Sequence, residues 1–193
     1  MKVKVVTLKL VLVSCFTALG VVISPFFHFI FLGTRAFPGQ HFINALAGVL
    51  IGPWWAALVA VFVGVIRNLL GVGTVFAFPG GVPGALVVGL AYKVTGRLRK
   101  RPIRFSAALL EPVGTVMIGA TLSLLLVAPI VAWRPLLALI EKLGLWQSLL
   151  TLWVGWSISS VTGSVMGYLS LLILGRASVL KGLGLEVGES HVR

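Results

Sequence analysis

The chain has 193 residues, 59% of them hydrophobic and 10% charged, which is too little polar surface for a soluble domain of this size. Sixteen Lys and Arg against four acidic residues give a net charge of +12. These positive residues lie in short polar segments, which excludes a basic face for nucleic acid and leaves the charge as topology information.

Apolar runs of about 17–25 residues recur, the length of a membrane-spanning helix. The alternating pattern of a membrane barrel is absent. The expected fold class is therefore an all-α integral membrane protein, with six transmembrane helices in one domain over 1–193. The spacing places them at about 5–24, 38–52, 54–71, 80–97, 106–130 and 148–175. A single cysteine, Cys15, excludes an internal disulfide and a cysteine-based zinc site.

The first span follows a basic start, and "LVSC" has the look of a lipoprotein signal. The apolar stretch runs on through Ala18 and Gly20 to Ser24, which suits a spanning helix better. Within it Ser14 and Ala18 are four apart, a small-xxx-small pair that lets another helix approach closely. His28, in the loop that follows, reads as interfacial.

The second span opens on Ala36-Phe37-Pro38-Gly39, and the fourth on a second copy, Ala77-Phe78-Pro79-Gly80. A Pro-Gly pair ahead of a helix breaks the preceding structure and sets the entry angle. Gln40, His41 and Asn44 follow the first copy, with His41 and Asn44 on one helix face. Asn44 lies about 7 Å below the helix start at 1.5 Å rise per residue.

Gly52-Pro53 separates spans two and three, which could otherwise form one long kinked helix. The charges decide between these. With six spans, Lys2, Lys4 and Lys9, the segment "KVTGRLRKRPIR" (93–104), and Arg176, Lys181 and Arg193 all share one side. That is the cytoplasmic excess expected of a membrane protein, so both termini are cytoplasmic. Five spans would put "RLRKR" opposite the basic N-terminus. Trp54 and Trp55 then form an interfacial anchor at the inner turn.

Arg67 and Asn68 close the third span near the depth of Asn44, and "GVGTVFAFPGG" (71–81) returns with Thr74, Phe76 and Phe78. Polar residues in spans are costly and mark candidate sites. A helix N-terminus also presents unpaired N–H groups and a positive dipole end. The converging set, Gln40, His41, Asn44, Arg67, Asn68, Thr74, Phe76 and Phe78, is thus the expected substrate layer. The bland alternatives are snorkelling for Arg67 and packing hydrogen bonds for the two asparagines. His41 has no second His, Cys or Asp nearby to make a metal site.

Glu111, in "LLEPVGT", reads as lying near the inner end of the fifth span. It is expected to pair with the arginines of 97–104, or to contact a cytoplasmic partner. Substitution of Asn44 or Arg67 is accordingly expected to cost far more binding than substitution of Glu111. Segment 131–147 has apolar residues at helical spacing between Trp133 and Trp146, as an outer interfacial helix or lid. Trp153 and Trp156 read either as core or as an aromatic wall for a flat ligand. The tail 181–193 reads as a frayed cytoplasmic end. There is no GxxxxGK[ST], no H-E-x-x-H and no Asp, so neither a P-loop nor an enzyme is expected, and no cofactor in this chain.

Three strings, "FPGQHFINALAGVLIGPWWAAL" (37–58), "GVIRNLLGVGTVFAFPGG" (64–81) and "EPVGTVMIGA" (111–120), resemble the substrate-binding (S) components of energy-coupling factor transporters, ThiW-type branch. The likeness covers most of 10–130, and spans five and six match by layout. The resemblance implies capture of hydroxyethylthiazole, a thiamine precursor, from the outer face. It implies uptake driven by a transmembrane T component and two ATPases, which bind the ATP. Family members carry A-x-x-x-A in helix one to dock the T component. Here Ser14 replaces the first alanine and Ala18 keeps the second. The alternative, from another class, is a self-sufficient proton-coupled transporter or channel using His41 and Arg67. No carboxylate is expected near its site.

Overall fold

A computed structural model describes residues 2–32, 34–95 and 101–176. The tail 181–193 and most of the "RLRKR" cluster lie outside these. Among the described residues there are seven helices and one short hairpin. We number them α1 (Lys2–Ile23), β1 (Phe29–Phe31), β2 (Thr34–Ala36), α2 (Pro38–Leu50), α3 (Pro53–Leu69), α4 (Ala77–Thr95), α5 (Pro102–Ile130), α6 (Arg134–Leu143) and α7 (Leu145–Arg176).

Four of the helices, α1, α4, α5 and α7, are long and apolar enough to cross a bilayer, and α3 is a shorter apolar helix. The 13 residues of α2 rise only about 20 Å. A chain with this many long apolar helices is a multi-pass membrane protein.

The boundaries follow from local chemistry. Phe37 is extended and Pro38 takes the first position of α2, where its missing N–H costs nothing. Gly52, at φ +88°, reverses the chain, and Pro53 opens α3. The turn at Gly52-Pro53 is thus a break between two helices, not a kink in one.

At the other end of α3, Gly71 (φ +70°) lets the chain fold back, and the N–H groups of Val72 and Gly73 donate to the Arg67 carbonyl. Asn68 Nδ2 bonds the Gly64 carbonyl at 2.7 Å and the Thr74 carbonyl at 3.0 Å, fastening that loop to its own helix.

The second AFPG differs from expectation. It forms the first turn of α4, which begins at Ala77 and contains Pro83 seven residues in. Proline has no N–H to give to the carbonyl four residues back, here that of Pro79. Opposite, α5 changes winding along its length: 3₁₀ over Ser106–Leu110, then wide π turns over Val113–Ala120 and Ser123–Val127. Gly114 and Gly119 of α5 lie against the carbonyls of Pro83 and Pro79, where a Cβ would collide. The two irregular helices therefore meet backbone to backbone.

Helix α2 sits at the centre, packed on α1, α3, α4 and α7. Its apolar face joins α1, α3 and α4 in one core, built on Ile43, Val59, Val63 and Val88. A second core links Phe76, Val116, Leu124 and Trp156 with Leu136 of α6, and Trp133 packs edge-on to Phe76. The interfacial segment thus forms α6, but 145–147 belongs to α7. The hairpin was not anticipated. Its register pairs Phe29 with Ala36, and Phe31 fits the notch left by Gly155 of α7.

Candidate functional site

Between the two cores lies a half-open cleft. Its lining comes from Ala36, Phe37, Gln40 and His41 on one side, Phe76, Ala77 and Gly80 on another, with Arg67, Trp156 and Ser159. The opening turns of α2 and α4 therefore meet here, each bringing its copy of AFPG to the wall. Both helix starts aim the positive ends of their dipoles at the same space.

Arg67 is 1% exposed and does not snorkel. Its guanidinium lies 3.3 Å over the Phe37 ring centroid, a desolvated cation–π contact. His28 stacks on Phe37 at 5.7 Å, so that ring is held in a stack.

From Arg67 a directed set of hydrogen bonds runs inward. Arg67 Nη1 donates to Gln40 Oε1 at 3.3 Å, Gln40 Nε2 to Asn44 Oδ1 at 3.2 Å, and Asn44 Nδ2 to Glu111 Oε1 at 3.0 Å. The amides act as relays, because each has one acceptor and one donor end. The relay joins a permanent cation to a carboxylate across three helices.

Glu111 is the largest correction to the sequence reading. It does not stand apart from the cleft at a helix end, and of the arginines expected beside it Arg97 and Arg99 lie outside the described residues. It is fully buried, 2.8 Å from His41 Nδ1. Thr115 Oγ1 donates to Oε1 at 2.6 Å, and Ser160 Oγ donates to Oε2. Asn44, Thr115 and Ser160 thus surround one carboxylate with His41 Nδ1 beside it, and Thr115 Oγ1 also lies 2.8 Å from the Gly80 carbonyl.

The reason is where the helix starts. α5 begins at Pro102, so Glu111 lies nine residues in, about 14 Å along the axis and well inside the helix. His41 is the fourth residue of short α2, so the start of α2 meets it there. Burial also removes Glu111 as a partner-docking residue, and a carboxylate does stand beside the site. Its placement is tight: a Cβ on Gly84 of α4 would collide with Glu111 and Thr115.

The other expected residues divide by position. Gln40, His41, Arg67, Phe76 and Trp156 line the cleft, and Asn44 stands behind it, donating also to the Gly81 carbonyl at 3.0 Å. Asn68 and Thr74 serve the α3–α4 loop, and Phe78 packs at Gly64, so none of the three forms the wall. Trp153 turns away, its Nε1 donating to Thr121 Oγ1 at 3.1 Å. Ser14 and Ala18 lie on an exposed face of α1.

The sequence reading missed Ala36, Phe37, Ala77, Gly80 and Ser159 in the wall and Thr115 and Ser160 behind it. A signal existed for the serines. Gly155, Ser159, Gly163 and Gly167 recur every four residues on α7, a stripe that admits a close neighbour. That neighbour is α2: a Cβ on Gly163 would stand 2.7 Å from the Cβ of His41. Among the described residues no group of three or more His, Cys, Asp or Glu gathers into a metal site.

A family model described as "Thiamine-precursor transporter protein (ThiW)" matches residues 10–177, most of the chain. No curated protein and no solved structure matches it.

Proposed function

The chain belongs to the ThiW family of thiamine-precursor transporters, which are not enzymes, and we propose that it is the substrate-binding component of an energy-coupling factor transporter. In this reading it captures hydroxyethylthiazole from the outer face of the cytoplasmic membrane. A T component, docked on the α1 face of Ser14 and Ala18, and two ATPases that bind ATP drive uptake. Helices α1–α5 and α7 supply six crossings, with both termini cytoplasmic. The short α2 and α3 are joined at an inner turn.

The observation that carries this reading is the make-up of the cleft. Two aromatic rings, Phe76 and Trp156, supply walls for a flat ring, and Phe37, stacked with Arg67 and His28, closes the side. Gln40, His41 and Arg67 supply a few convergent polar groups, as small-molecule sites require.

Calorimetry on the full chain in detergent tests it. Hydroxyethylthiazole is expected to bind with Kd below about 1 μM without ATP or partners. No heat with the thiazole, with thiamine or with its pyrimidine precursor removes the reading.

One observation favours a second reading. The buried His41–Glu111 pair is the kind of group that proton-coupled transporters use. Thiazole uptake into proteoliposomes holding this chain alone, driven by a proton gradient, would establish it. The S-component reading expects none without the T component and ATPases.

A further inference from the structure

We propose that Glu111 is a positioning residue that fixes the proton of His41 on Nδ1, so that Nε2 faces the ligand as a bare acceptor and selects a hydroxyl-bearing ligand. This rests on the reading of the cleft as the thiazole site and adds which part of the ligand is recognised there.

Three observations carry it. His41 lines the cleft, yet Nδ1 is turned away from it onto the Glu111 carboxylate at 2.8 Å. Of the two ring nitrogens, Nε2 is the one left for the cleft, and among the described residues it has no hydrogen-bond partner. A neutral imidazole that donates from one nitrogen accepts at the other, and the bond on the far side decides which.

The charges of the layer point the same way. Arg67 and Glu111 already balance along the Gln40–Asn44 relay. A neutral His41 completes that buried layer without net charge, which a low-dielectric interior favours. The carboxylate itself cannot drift toward the ligand. Thr115, Ser160 and Asn44 hold it from three helices, and the glycine surface at Gly84 backs it.

A bare Nε2 accepts from an alcohol O–H. An analogue without the hydroxyl leaves it unpaired, and a site built to bond a hydroxyl rejects such an analogue.

Two measurements test the proposal. The first is nitrogen NMR of the full chain with 15N-labelled histidine, with His41 identified by its loss in His41→Gln. The expected spectrum has the His41 proton on Nδ1 and a bare Nε2. A proton on Nε2, or on both nitrogens, overturns the proposal. This measurement needs no variant of Glu111 and stands whether or not any thiazole binds.

The second is the affinity of hydroxyethylthiazole against 4-methyl-5-ethylthiazole, which lacks the hydroxyl. Wild type is expected to prefer the alcohol by about tenfold, the worth of one buried hydrogen bond. Glu111→Ala is expected to reduce that preference to about threefold or less. Glu111→Gln is expected to keep it, because the amide oxygen can still accept from Nδ1 while Ser160 turns to accept from the amide. A purely structural role for Glu111 would weaken both ligands in proportion.

Equal binding of the two thiazoles by wild type overturns the proposal, as does a preference unchanged in Glu111→Ala. Should neither thiazole bind while His41 carries its proton on Nδ1, the ligand assignment fails and the positioning role of Glu111 stands.

Discussion

Asn44 and Asn68 are the same residue type, and they do different work. Asn68 bonds the carbonyls of Gly64 and Thr74, four and six positions away, and ties a loop to its own helix. Asn44 bonds Gly81 and Glu111, 37 and 67 positions away, and ties α2 to α4 and α5. The difference teaches where the site's specificity lies. The loop is a local device that any helix end of this kind makes. The Asn44–Glu111 layer exists only when four helices are assembled.

The sharpest way to break the comparison is at the hub of the assembled layer. Glu111→Ala leaves the donors on His41, Asn44, Thr115 and Ser160 without their shared acceptor. A loss of about 3–5 kcal/mol is expected, by analogy with breaking a buried charge pair. Unfolding of the purified chain followed by tryptophan fluorescence reads it, and a loss below about 1 kcal/mol would make the layer incidental.

Asn44→Ala is the next step down. It removes two donors and the acceptor for Gln40, so about 2 kcal/mol of stability is expected to go. Thiazole affinity should fall about tenfold, because the Gln40 side chain in the wall loses its anchor. Asn68→Ala is expected to be smallest, about 1 kcal/mol, with affinity changed by less than about threefold. If the two asparagine variants lose equal affinity, the division between loop and layer is wrong.

The same division explains what could be read from the sequence. Helix starts and stops depend on neighbours in the chain. Pro38, Gly52-Pro53 and Gly71 therefore announce the ends of α2 and α3, whereas the stop at Gly144 was read through in the segment 131–147. The gathering of Gln40, His41 and Arg67 was also legible, because helical rise sets the start of α2 beside the end of α3.

Glu111 was misplaced because depth was counted from an α5 that starts too late. Its partners at 41 and 160 lie on helices whose contact no spacing encodes. The winding of α5 was equally hidden. Ser106–Leu110 and Val113–Ala120 depart from α-helix where glycines meet the proline-bearing turn of α4, a condition set by the partner helix. The residues missed in the wall, Phe37 and Gly80 among them, lay inside the repeated AFPG and were read as hinges for their neighbours.

The shortness of α2 has a consequence for how the protein comes into being. At about 20 Å it falls short of the roughly 30 Å hydrocarbon layer, and it carries Gln40, His41 and Asn44 on its surface. Such a segment is a poor passenger for insertion by itself. It is paired through a two-residue turn with α3, whose exposed face is apolar. The carboxylate that satisfies His41 and Asn44 emerges from the ribosome some 70 residues after His41, and the α7 stripe that seals Gly163 against α2 later still. The site is thus finished only after α7 has been made. Until then the nascent chain holds its polar residues within the membrane without their final partners.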